Sequence, residues 1–267
     1  MDKLIVNKSQ GDIIKVKVKD VIIGGAKKVI ISGPCAVENY ETMVHIAKEL
    51  KKLGVDILRG GAFKPRTSPY SFQGLQNEGL KILKEVGSET GLPIVSEIMD
   101  TRDVEKSEEY IDMIQIGSRN MYNYSLLKEV GKSKLPILLK RGISATIEEW
   151  LYAAEYIMSE GNLNVVLCER GIRTFETFTR NTLDLNAVAL VKERYRLPVI
   201  VDPSHGTGLR ELVYKMSMAS ISAGADGLEI ESHLNPDKAV SDAQQTISIE
   251  QVGKIIEDIR NFTLHFS

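Results

Sequence analysis

Four residues of types that bind divalent metals are scattered through this chain: Cys35, His205, Glu231 and Asp242. A thiolate, an imidazole and two carboxylates form a mixed donor set. Such a set suits a borderline ion such as Mn, Fe, Co or Zn better than Mg or Ca. No CxxC or HExxH spacing joins them, so a shared site has to be assembled by the fold. Two of them have a plainer alternative: Cys35 as a small buried hydrophobe, His205 as a general base or phosphate ligand. A second set is cationic: Arg59, Lys64, Arg66, Arg119, Lys140, Arg141, Arg170 and Arg173. Arginine forks grip phosphate and carboxylate oxygens bidentately, and lysine adds a point charge. Any one of them could be a solvated loop charge with a local acidic partner. Gathered on one rim they would repel, by roughly 2 kcal/mol for a pair ~8 Å apart at an effective dielectric of ~20. The set therefore points to small, multiply anionic ligands.

Both sets fall at the ends of apolar runs. Val29–Ser32, Val55–Leu58, Pro93–Ser96, Met113–Ile116, Pro136–Leu139, Asn164–Leu167, Pro198–Val201 and Gly227–Ile230 read as strands buried on both faces. Amphipathic helices lie between them at Glu41–Leu53, Glu78–Ser88, Ile147–Glu160, Leu183–Arg194 and Leu209–Ala223. Eight strands alternating with helices fit a closed parallel barrel or a doubly wound sheet, and the count favours the (β/α)8 TIM barrel. In such barrels the chemistry occupies the C-terminal strand ends. Here those ends deliver Cys35, then Arg59 through Ser68, Glu97, Arg119, Lys140 with Arg141, Arg170, His205 and Glu231, with Asp242 following in the last loop. The ends holding Cys35, His205 and Glu231 become neighbours when the barrel closes. His233 stands beside Glu231 and is a candidate to support it; His45 and His265 receive no role. Two short strands at Leu4–Asn7 and Ile13–Val18, turning at Gln10–Asp12, are expected to plug the barrel bottom as a β extension over residues 1–28.

At 267 residues the chain has the length of one such barrel, and no linker or composition shift divides it. A formal net charge of -2 gives no electrostatic case for nucleic acid. No apolar run approaches the ~20 residues that span a bilayer. The opening residues lack a signal-peptide core, and two cysteines make no disulfide framework. A cytoplasmic protein is expected.

Six segments narrow the reading further: Cys35 in Gly-Pro-Cys, the run from Lys64 to Gly74 (KPRTSPYSFQG), QIGSRN at 115–120, LLKRG at 138–142, CERGIRTFE at 168–176 and VDPSH at 201–205. With SDAQQ at 241–245, they resemble the 3-deoxy-D-arabino-heptulosonate 7-phosphate synthases, in particular the short type I beta branch. The resemblance runs from about Ile30 to Thr246. It implies condensation of phosphoenolpyruvate with erythrose 4-phosphate and water, releasing phosphate, at the entry to the shikimate pathway. It also implies one divalent metal on Cys35, His205, Glu231 and Asp242. Phosphoenolpyruvate would be held by Arg59, Lys64, Arg119, Lys140 and Arg170, and the aldehyde substrate by Arg66, Thr67 and Ser68. Glu97 matches an acidic residue near the phosphoenolpyruvate site, and Lys64 and Lys140 are candidates to move protons. A homotetramer or homodimer is implied as well. Because few residues flank the barrel pattern, inhibition by aromatic amino acids is not expected.

Three rival readings compete with this one. The 3-deoxy-D-manno-octulosonate 8-phosphate synthases share the barrel but carry a Lys-Ala-Asn-Arg-Ser-Ser type loop where this chain has Lys-Pro-Arg-Thr-Ser. A barrel that only senses a phosphorylated sugar would need the arginines but not a metal set with an open position. A purely structural barrel would not distribute charge so one-sidedly.

Overall fold

The computed structural model describes residues 4–65, 68 and 70–266, with side chains described as far as Phe262. Eight parallel strands follow one another around a closed barrel: β3 (Val29–Gly33), β4 (Ile57–Arg59), β5 (Ile94–Glu97), β6 (Met113–Ile116), β7 (Ile137–Lys140), β8 (Val165–Glu169), β9 (Val199–Val201) and β10 (Gly227–His233). Pairing of β10 with both β9 and β3 closes the ring. This is the expected (β/α)8 barrel. A two-residue strand, β11 (Ile247–Ser248), pairs in parallel beside the last two residues of β10.

Helices cover the outside: α1 (Tyr40–Leu53), α2 (Asn77–Thr90), α3 (Val104–Ser107), α4 (Tyr124–Lys132), α5 (Ile147–Met158), α6 (Leu185–Arg194), α7 (Pro203–Thr207), α8 (Arg210–Ser222) and α9 (Ile249–Phe266). Their ends follow from local chemistry. The Asn39 carboxamide caps α1 by accepting from Thr42 N at 2.8 Å, and Gly54 closes it in the left-handed region at φ 90°. Thr146 and Glu149 form a reciprocal capping box at the start of α5.

Alternation along each strand sorts the residues into two shells. Ile30, Leu58, Ile94, Ile114, Ile137, Leu139, Leu167, Val199, Leu228 and Ile230 face the helices in the main core. Ile31, Ile57, Val95, Met113, Leu138, Val166 and Ile200 face inward as a separate apolar layer. Two residues further along five of these strands the inward position turns polar: Arg59, Glu97, Gln115, Lys140 and Asp202. The barrel thus has an apolar floor and a charged upper storey, set by register alone.

The N-terminal strands differ from expectation. β1 (Val16–Val18) pairs antiparallel with β2 (Val21–Ile23), turning at Lys19 with φ 52° and at Asp20. Residues 4–7 form no strand, because their amides are satisfied elsewhere. Ile5 and Val6 donate to the Glu155 carboxylate at 2.7 and 3.2 Å, and Asn7 bridges to Tyr195. The hairpin does plug the floor: Val16, Val18 and Ile23 are at most 1 % exposed and pack into the inward apolar layer.

Candidate active site

The strand ends open into a cavity of about 190 Å³ whose described lining includes Arg59, Lys64, Arg119, Lys140, Arg170, Arg173 and Arg180. Only two carboxylates, Glu97 and Asp242, line it with them. Its position at the C-terminal face is the one the barrel pattern implies.

Cys35 Sγ and carboxylate oxygens of Glu231 and Asp242 lie within 4.8 Å of one another. His205 stands outside that circle, but its Nε2 is 3.6 Å from Glu231 Oε1. Asp202 orients the ring through its Oδ2, 2.6 Å from His205 Nδ1, and caps α7 by accepting from His205 N at 2.9 Å. Fixing one ring nitrogen leaves the other to face the donor set. Asp242 sits at φ 53°, a region costly for a residue with a side chain, in a turn held by Gln245 N and Thr246 Oγ1 donating to its carbonyl. Gln245 donates to Glu231 Oε2 at 2.6 Å and accepts from Arg180 at 2.9 Å, and Arg180 reaches Asp242 Oδ1 at 3.3 Å.

The donors fit a divalent ion. Burial pushes the Cys35 thiol up to about 12, with Glu231 adding to the effect, and its proton points towards Asp242 Oδ2 at 2.9 Å. A cation among these groups would reverse that logic and favour the thiolate. Glu231 is already ionised. Burial opposes its charge, but His205, Arg59 and Lys64 together hold it well below the usual carboxylate range.

The cations divide into two groups. Arg59 and Lys140 are 4 % exposed and internally paired: Arg59 Nη1 to Glu231 Oε1 at 2.6 Å, Lys140 Nζ to Asp202 Oδ2 at 2.5 Å and to Glu229 Oε2 at 2.8 Å. Burial opposes both charges, yet Glu231 and Glu229 around Arg59, and Asp202 and Glu229 around Lys140, raise both well above their ordinary values. The mutual repulsion expected of the ring is therefore partly offset from within. Arg119, Arg170 and Arg173 have no carboxylate partner among the described residues. Burial pulls Arg170 below its ordinary value, outweighing the opposing effect of Asp202. Lys64 Nζ donates to the Cys35 carbonyl at 2.7 Å and lies 2.9 Å from its sulfur, joining the two sets.

A sequence comparison settles the kinship: residues 5–264 match the profile of the DAHP synthetase I family. The chain belongs to that family. It is 48 % identical over 241 residues to a phospho-2-dehydro-3-deoxyheptonate aldolase of Thermotoga maritima, covering 90 % of this chain and 71 % of that one. The crystal structure of the Thermotoga maritima enzyme superposes with a TM-score of 0.95 at 44 % identity, over 98 % of this chain and 77 % of the other. A truncated form of 3-deoxy-D-arabino-heptulosonate 7-phosphate synthase from that organism gives 0.92 at 42 %, covering 98 % and 97 %. A 2-dehydro-3-deoxyphosphooctonate aldolase of Syntrophotalea carbinolica is 33 % identical, over 91 % of this chain and 94 % of that one.

Not every expected residue reaches the cavity. Arg66 and Thr67 lie outside the described residues. Ser68 is exposed, its Oγ accepts from Tyr70 N at 3.3 Å, and it does not line the cavity. Arg141 turns into the wall, bonded to Glu169 and Asp184 at 2.8 and 2.9 Å and lying over Trp150, because that position faces the helix layer. His233 does not support Glu231. It bonds Asn235 and approaches Glu38 at 3.4 Å, because β10 carries it past the cavity mouth. Sequence reasoning gave no role to Glu229, Asp202, Gln245 or Arg180. Acidic residues inside an otherwise apolar strand, as in Gly-Leu-Glu-Ile-Glu, are the signal that could have found Glu229.

Among the described residues no helix is long and apolar enough to cross a membrane.

Proposed function

We propose that this chain condenses phosphoenolpyruvate with erythrose 4-phosphate and water, giving 3-deoxy-D-arabino-heptulosonate 7-phosphate and phosphate. The C3 carbon of the enol attacks the aldehyde carbon, water adds at C2, and phosphate leaves. One observation carries the reading: cations without an ion-paired carboxylate line one cavity with His205 and Asp242, and Asp242 groups with the Cys35 thiol and the Glu231 carboxylate as a donor set. The kinship with the Thermotoga heptulosonate enzymes supports it over other phosphate chemistry.

Phosphoenolpyruvate lies on Arg59, Lys64, Lys140, Arg170 and Arg119, which neutralise its phosphate and carboxylate. Cys35, His205, Glu231 and Asp242 hold one divalent ion of the Mn, Fe, Co or Zn class. Such an ion supplies Lewis acidity towards the aldehyde oxygen. Holding two mutually repelling anions in one orientation can lower the barrier by roughly 7–11 kcal/mol. Lys140, held strongly protonated by Asp202 and Glu229 despite its burial, acts as a fixed cation rather than a proton donor. Lys64, beside Cys35 at the mouth of the donor set, is better placed to give a proton to the aldehyde oxygen. Burial raises the Glu97 carboxyl against the pull of Lys64 and Lys140, which suits it to take a proton from the attacking water. Arg66, Thr67 and Ser68 receive the erythrose 4-phosphate end.

We also infer one catalytic barrel over residues 1–267 with residues 1–28 as its extension, and a homodimer or homotetramer. Exposed Tyr122, Tyr124, Tyr152 and Tyr156 around α4 and α5 favour association. Two free cysteines and phosphorylated substrates fit a reducing cytoplasm.

A phosphate-release assay with phosphoenolpyruvate, a panel of aldose phosphates and added divalent ions tests the reading. Phosphate is expected only when phosphoenolpyruvate, erythrose 4-phosphate and metal are all present. Release that ignores the aldehyde, or none with erythrose 4-phosphate, overturns it.

A further inference from the structure

Beneath the cavity, Glu229 is 0 % exposed on β10, at the inward position two residues before Glu231. Its two oxygens serve different cations: Oε1 lies 3.2 Å from Arg59 Nε, and Oε2 lies 2.8 Å from Lys140 Nζ. Arg59 and Lys140 each have one further carboxylate, Glu231 and Asp202 respectively. Both of those are already engaged by the donor set. Glu231 belongs to it and also accepts from Gln245, while Asp202 fixes His205 at two atoms. Glu229 alone touches both cations, and among the described residues no hydrogen bond or ion pair joins it to Cys35, His205 or Asp242.

We propose that Glu229 is a positioning residue for phosphoenolpyruvate, a strut that keeps Arg59 and Lys140 at a fixed spacing whatever happens among the metal donors. The proposal rests on the phosphoenolpyruvate reading of the cavity. Glu231, were it to share its charge with a bound metal, would hold Arg59 less tightly. Glu229 then remains to anchor the guanidinium, and through its other oxygen it ties Arg59 to Lys140. Without its charge the two cations repel each other and settle against Glu231 and Asp202, on the donor side of the cavity. An anion spanning both would then meet them in the wrong register, and displacements near 1 Å cost much of the binding and rate.

Electrostatics taken alone gives the opposite expectation. Removing a negative charge beneath a cationic cavity should tighten binding of an anion. This sign difference makes the proposal testable.

Glu229→Gln keeps the shape and removes the charge. In metal-loaded protein, calorimetric titration with phosphoenolpyruvate and no aldehyde is expected to show its Kd raised about tenfold or more. KM for phosphoenolpyruvate should rise in parallel, while KM for erythrose 4-phosphate and the bound-metal content stay near wild type. Glu229→Asp, which keeps the charge on a shorter arm, should fall between wild type and the Gln variant, and it carries the test if the Gln variant does not fold. Unchanged or tighter phosphoenolpyruvate binding overturns the proposal, as does a general loss in which metal content and both KM values move together. Wild-type protein that binds no phosphoenolpyruvate would instead overturn the functional reading on which the proposal stands.

Discussion

The carboxylate of Glu97 occupies the space that a side chain on Gly117 would need: a Cβ there would lie 2.0 Å from Glu97 Oε1 and 2.7 Å from its Cδ. Gly117 has φ -70°, so its backbone does not require glycine. What requires it is the neighbouring acid. Gly117→Ala should therefore displace Glu97 rather than unfold the barrel. Turnover is expected to fall by about a hundredfold, as for a roughly 1 Å misplacement, with the melting temperature little changed. Glu97→Gln should give a loss of similar size. Near-normal kcat in Gly117→Ala would remove Glu97 from the mechanism.

The donor set makes metal dependence a firm expectation. Chelation should abolish activity, and Mn or Co should restore it. Because a ligand that binds only the folded state stabilises it, the chelated protein should also melt at lower temperature. Cys35→Ser should lose most of its metal affinity by direct titration. Full activity in metal-free protein would dismiss the set.

Substrate choice turns on the loop after β4. Pro65 fixes its own φ and biases Lys64 towards extended backbone. The 2-dehydro-3-deoxyphosphooctonate aldolases among the relatives compared are 33 % identical or less. Sites that depend on polar contacts discriminate strongly when those contacts cannot form. A clear kcat/KM preference for erythrose 4-phosphate over arabinose 5-phosphate is expected. Arg66→Ala should cost more for the aldehyde than for phosphoenolpyruvate. Equal efficiency with the two sugars in side-by-side kinetics would contradict the assignment.

Glu169 offers a pH test away from the metal donors. It is fully buried, and burial raises its carboxyl above the ordinary value even though Arg141 pulls it down. A raised folded pKa means the folded state holds the proton more tightly than the unfolded chain does. That contribution is present in full below the unfolded value of about 4.3 and is lost as pH rises through the folded value. Glu169→Gln removes the titration. Wild-type stability measured against the variant should fall across that window and level off above it. A difference that grows with pH would show that Arg141 dominates.

Much of this architecture was legible because buried parallel strands announce themselves as apolar runs. All eight barrel strands begin within two residues of the expected starts, and Arg59, Lys64, Arg119, Lys140, Arg170 and Arg173 reach one cavity. Where reasoning failed, the cause was physical. Residues 4–6 are apolar, but the chain turns there, with Asn7 N donating to the Leu4 carbonyl at 3.1 Å, and the Glu155 carboxylate takes the amides that a strand partner would have used. Helix α4 went unread because Leu126, Leu127 and Val130 give only a short stripe. Arg141 looked like a rim cation, since sequence order cannot say which of two adjacent residues faces inward. His233 looked like a neighbour of Glu231, although β10 runs long enough to carry it beyond the cavity.

The hairpin under the barrel has an electrical consequence. Val16, Val18 and Ile23 close the floor against Ile31, Ile57, Val95, Met113, Leu138, Val166 and Ile200, leaving hydrocarbon directly below the charged storey. Hydrocarbon screens poorly, and the same ion pair is worth about fourfold more at an effective dielectric of 20 than in water. The field of Arg119, Arg170 and Arg173, which have no ion-paired carboxylate among the described residues, is therefore not dissipated downward. It is turned towards the open mouth, where low-dielectric walls concentrate field lines. The hairpin acts as an insulator, and the barrel above it as a lens for incoming anions.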